Sequence, residues 1–77
     1  MIEEVYRDYK IRALPIKTKN NKWRVAVKIK HCLDERKTEK YFEAKDKIEY
    51  ILEIEAAKES INLGKNLINN NMITFYE

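Results

Sequence analysis

His31 and Cys32 stand side by side and are the only histidine and the only cysteine in the chain. A zinc ion needs three or four such ligands, and a thiol nucleophile needs a base that a third group orients. As neighbours on an extended segment the two side chains project to opposite faces, so they read as ordinary strand-end residues. Gly64 is the sole glycine, which leaves no glycine-rich loop to cradle a phosphate. The carboxylates Glu49, Glu53, Glu55 and Glu59 fall at the spacing of a solvated helix face, and a pair such as Glu55 and Lys58 adds about 0.2–0.5 kcal/mol to a helix. This inventory predicts a protein that is not an enzyme, with no catalytic, cofactor-binding or metal-ligating residues and no evident small-molecule substrate.

What remains for function is charge. The net charge of +3 hides an asymmetry: residues 1–40 carry 12 Lys and Arg against 6 Asp and Glu, whereas residues 41–77 carry 4 against 7. From Tyr9 to Leu33 there is no acid, but there are eight cations: Lys10, Arg12, Lys17, Lys19, Lys22, Arg24, Lys28 and Lys30. An electrically two-sided protein invites a polyanionic or acidic partner without dictating a fold.

The elements that carry these cations follow from periodicity. Tyr9 to Leu14 alternates apolar with basic residues before Pro15, which a strand tolerates at its end or edge. Thr18 to Lys22 is a polar turn whose Asn20-Asn21 pair accepts left-handed conformations. Trp23, Val25, Val27 and Ile29 then alternate with Arg24, Ala26, Lys28 and Lys30, the pattern of a half-buried strand. Residues 32–37 turn the chain into Thr38 to Ala44, whose Tyr41-Phe42 pair suits a third strand.

Beyond the sheet, Tyr50, Ile54, Ala57, Ile61, Gly64 and Ile68 recur at steps of four and three and predict one amphipathic helix. Two starts fit: Asp46 with Glu49 three residues on resembles an N-terminal cap, which opens the helix near Lys47, and a break near Glu53 fits equally. Asn69-Asn70-Asn71 ends it. The expected fold is α+β: a three-stranded antiparallel β-meander packed on one C-terminal α-helix, with a short apolar C-terminal tail. It forms a single domain over 1–77, with sheet about 9–44, helix about 47–69 and tail 70–77. Gly64 on the core stripe predicts close helix approach to a bulky residue such as Trp23.

Two surfaces follow. If the apolar set faces the helix, Lys10, Arg12, Arg24, Lys28, Lys30 and Tyr41 share the other face of the sheet, a composition suited to phosphate contact beside an aromatic. Glu39 and Glu43 on that face offer cross-strand partners and would make it a plain solvated surface. The tail residues Met72, Ile73, Phe75 and Tyr76 are either cover for the sheet edge or a self-association surface that would make a homodimer. A lone cysteine fits a reducing compartment, so the expected localisation is cytoplasmic. No apolar run reaches the roughly 20 residues of a membrane span, and the acidic start Met1-Ile2-Glu3-Glu4 is unlike a signal peptide.

The succession Tyr9-Lys10-Ile11-Arg12 with Pro15, Trp23-Arg24-Val25, Phe42-Glu43-Ala44, Glu55-Ala56 and Gly64 to Asn69 resembles a group of small uncharacterised bacterial domains. More loosely, it resembles the HlyU family of transcriptional regulators. The likeness spans roughly residues 9 to 70. The chain departs from that pattern at Lys10, where a glycine is usual, at Asn69, where an acid is typical, and in extra residues near Lys45 to Lys47. In element order and in Trp23-Arg24-Val25 it is also similar to the three-stranded DNA-reading sheet plus helix of some integrases, an analogy of fold. The first functional expectation is a non-enzymatic bacterial accessory module that binds another protein or itself. The second is a DNA-binding regulator that uses the basic face of the sheet.

Overall fold

A computed structural model describes residues 2–33 and 39–73. The chain runs β1 (Glu3–Tyr6), β2 (Tyr9–Ala13), β3 (Ile16–Lys17), β4 (Trp23–Arg24), β5 (Ala26–His31), β6 (Glu39–Glu43), β7 (Glu49–Tyr50) and α1 (Glu53–Asn69). The expected three strands are instead a four-stranded antiparallel sheet, β1-β2-β5-β6, and a three-stranded one, β3-β4-β7. The coarse architecture, antiparallel sheet plus one C-terminal helix, stands.

Two physical causes separate the observed sheets from a simple meander. The first is β1, which pairs with β2 through a two-residue turn. Arg7 and Asp8 take φ of 48° and 69° there, the positive pair that matches the twist of a tight hairpin. The second is interruption. Ala13 faces Val27 and Ile16 faces Arg24, so the hairpin keeps its register across Pro15, which has no N–H to donate. On the other side, two residues from Ala26 to Arg24 correspond to six from Glu43 to Glu49, so four residues are looped out. That loop is closed by the Ile48 N–H donating to Asp46 Oδ1 at 3.1 Å, with Lys47 at φ 58°. The turn of β3 and β4 holds Asn21 at φ 58°, as an Asn-Asn pair permits.

The helix begins at Glu53, the later of the two starts. Tyr50 is taken into the ladder opposite Trp23, which removes residues near Lys47 from the helix and gives Asp46 to the loop. Leu52 is the cap residue, and its N–H donates to the Glu55 carboxylate at 3.3 Å. The last turn closes with Asn71 N–H on the Ile68 carbonyl at 3.2 Å and Met72 N–H on the Leu67 carbonyl at 3.0 Å. Asn71 sits at φ 53°, the left-handed residue such a close requires.

The core joins Ile11, Ala13, Val27 and Ile29 to Ala57, Ile61 and Ile68, with Tyr9, Phe42 and Leu67 half-buried around it. Ile11, Val27 and Ile29 are fully buried, each contributing about 1.5–3 kcal/mol of transfer free energy. Ser60 is buried as well and donates to the Ala56 carbonyl at 2.8 Å, so its hydroxyl is satisfied. Ile54, expected on the buried stripe, is 48% exposed, because the helix has just begun there. Gly64 does mark a close approach, but to Ile11 and not to Trp23, which is half-buried outside the central cluster.

Candidate nucleic-acid interface

The face of the sheet turned away from α1 presents two rows of side chains. Register places Glu3, Arg12, Lys28 and Tyr41 across one row, and Val5, Lys10, Lys30 and Glu39 across the next. Five of the six residues expected here, Lys10, Arg12, Lys28, Lys30 and Tyr41, therefore meet on one surface. The sixth, Arg24, lies two rows further along between Ile16 and Glu49. It lines a shallow depression of about 410 Å³ with Lys17, Thr18 and Lys19.

The rows set like charges directly opposite each other: Lys10 faces Lys30, and Arg12 faces Lys28. Such pairs destabilise a sheet unless an anion intervenes. One anion is Glu3, whose Oε2 lies 3.1 Å from Lys10 Nζ and whose Oε1 lies 3.3 Å from Arg12 Nε. Its hydrogen bond with Lys10, reinforced by the charges of Lys10 and Arg12 and opposed by partial burial, holds the Glu3 carboxyl below the usual carboxylate range. Glu39 adds a looser contact, 3.9 Å from Arg12 Nη1. Lys28 and Lys30 have no carboxylate within ion-pair reach among the described residues.

Glu43, expected as a partner for a lysine, instead accepts a hydrogen bond from the Tyr41 hydroxyl at 2.9 Å. Burial pushes the Tyr41 phenol up, and the bond to Glu43 adds to it. Tyr41 remains 47% exposed, at the end of a cationic row.

Glu3 escaped the reading of the sequence. The available signal was the acidic-apolar stretch Glu3 to Tyr6, separated from Tyr9 by two residues, with Asp8 able to adopt a left-handed turn conformation.

Of the self-association set, only Met72 and Ile73 lie within the described residues. Ile73 packs against the core, Met72 is 58% exposed, and Phe75 and Tyr76 lie outside the described residues. Met72 lines a groove of about 600 Å³ with Phe42, Ala44, Leu63 and Leu67, between β6 and the second half of α1. A different apolar surface stands out at the entrance to the helix, where Ile48, Ile51, Leu52 and Ile54 are exposed, Ile51 to 73%.

His31 packs its ring against Tyr9, centroids 4.8 Å apart, and Cys32 is exposed in the turn after β5. Among the described residues no three His, Cys, Asp or Glu side chains converge, and no helix is long and apolar enough to cross a membrane. No family model matches the chain, and neither a curated protein nor a solved structure matches it.

Proposed function

We propose that this chain is a non-enzymatic binding domain that lays the outer face of its sheet on the sugar-phosphate backbone of a nucleic acid. The observation that carries this reading is the pair of opposed like charges, Lys10 with Lys30 and Arg12 with Lys28. A fold tolerates such pairs at a cost, and successive phosphodiesters along one strand, each with a single negative charge, offset them. Lysine is a point-charge phosphate binder, and among the described residues one exposed aromatic, Tyr41, stands beside the rows, so backbone contact outweighs base stacking here.

The test is a titration of fluorescently labelled duplex DNA at low and moderate salt, with the wild type and the double variant Lys28→Gln/Lys30→Gln. Wild-type affinity should fall steeply with salt, and the double variant should lower the slope of log K against log salt by about 2. Salt-independent binding, or a double variant that binds as the wild type does, refutes the reading.

A second reading, binding to another protein chain, is favoured by one observation: the four large apolar side chains Ile48, Ile51, Leu52 and Ile54 exposed within seven residues. Large apolar side chains exposed so close together in the chain suit an interaction site.

A further inference from the structure

Between β1 and β2 the Glu3 carboxylate bridges two cations, one oxygen on each, at 3.1 Å from Lys10 and 3.3 Å from Arg12. A phosphate group presents two oxygens in much the same manner. The bridge is imperfect. Arg12 Nε is shut off from solvent yet makes no aligned hydrogen bond, so Glu3 answers its charge and leaves its donor unsatisfied.

The strand that carries Glu3 is anchored on its other side. Glu4 pairs with Lys65 of α1 at 2.6 Å, and the Tyr6 hydroxyl donates to Asn69 Oδ1 at 2.8 Å. Glu3 can therefore rotate off the two cations while β1 stays in the ladder. At the same time Glu3 is about one-third exposed, which leaves the bridge open to an incoming anion.

We infer that Glu3 is an internal competitor for the anion site formed by Lys10 and Arg12, so that a nucleic-acid phosphate binds there only by displacing its carboxylate. This inference rests on the nucleic-acid reading and sets its affinity: Glu3 bridges two of the cations on the outer face with its single charge until a backbone phosphodiester, one of a closely spaced row of anions, replaces it. The affinity of the domain is thus held below what its cations alone would support.

The experiment compares the wild type with Glu3→Gln, Glu3→Asp and Glu4→Gln, titrating labelled duplex DNA across salt concentrations, with urea unfolding of each variant to confirm that it is folded. Glu4→Gln makes the same change in net charge on the helix side of the strand. Glu3→Gln should bind about three- to tenfold tighter than the wild type, with a salt slope steeper by about 1–2. The shorter Glu3→Asp cannot bridge both cations and should fall between the two, while Glu4→Gln should stay within about twofold of the wild type. Equal gains from Glu3→Gln and Glu4→Gln, or no gain from either while the wild type binds, overturn the competitor and leave the nucleic-acid reading intact. No binding by any of the four at low salt overturns both.

Discussion

A methyl group added at Gly64 probes how closely α1 lies on the sheet. In isolation, Gly64→Ala strengthens the helix by about 1 kcal/mol, because glycine loses more backbone entropy than alanine on folding. In this fold the new Cβ would stand 2.6 Å from Ile11 Cγ2, 3.2 Å from Cδ1 and 3.3 Å from Cγ1. Carbon atoms rest at about 3.5–4.0 Å, so the nearest pair must separate by about 1 Å. Ile11 is fully buried and has no solvent into which to yield. Overpacking of this kind costs about 1–3 kcal/mol. Taking about 2 for the clash against about 1 for the helix, the variant should lose about 1 kcal/mol. With a urea m-value of about 1 kcal/mol/M, the midpoint should fall by about 1 M.

The decisive arm is the same change in an Ile11→Ala background. There all three crowding atoms are gone, and Gly64→Ala should raise stability by about 1 kcal/mol, a coupling of about 2 kcal/mol between the sites. Ile11→Ala alone costs about 2–5 kcal/mol, so both members of that pair are measured in a stabilising osmolyte such as sucrose. Stabilisation by Gly64→Ala in the wild-type background, or effects that add to within about 0.5 kcal/mol, would refute the close approach of helix and sheet.

Two further outcomes follow from the charge and apolar maps. Because the folded-state pKa of Glu3 is depressed by Lys10 and Arg12, its contribution to stability is present at neutral pH and is lost as pH falls through the ordinary carboxylate range to the lower folded value. Urea midpoints of wild type and Glu3→Gln should therefore converge in acid, and curves that stay parallel there would exclude the contribution. At the alkaline end, burial raises the Tyr41 and Tyr50 phenols, so the stability they hold is retained below the ordinary phenol range and lost as pH rises through their raised values. If the apolar surface at the helix entrance binds a second copy of the chain, sedimentation of the wild type should depend on concentration, and Ile51→Asp should abolish that dependence. A wild type that sediments as a monomer at every concentration removes self-association through this surface.

Several features were legible in the residues because their causes are local. The alternation from Val27 to Lys30 sorts side chains onto two faces and placed Lys28 and Lys30 opposite the core, whereas Ala26, on their face by spacing, is fully buried where the strand breaks at Val25. The stripe Ala57, Ile61, Gly64 and Ile68 is a helix period that survives any choice of start, and all four are buried. Asn21 and Asn71 adopt the left-handed conformations their side chains tolerate.

What the tertiary structure alone decided are the relations between segments distant in the chain. Tyr50 fits a helix stripe by spacing, yet pairing with Trp23 draws it into a strand, and the helix opens three residues later. Glu3 looks like part of an acidic terminus until cross-strand register sets it opposite Arg12, where its carboxylate also reaches Lys10. By itself, then, the sequence determined which residues are apolar or charged and on which face of each element they fall, since those follow from backbone geometry within a few residues. Only the tertiary structure decided which charges oppose and which neutralise one another on the outer face, because cross-strand register depends on where each strand finds a partner for its backbone hydrogen bonds.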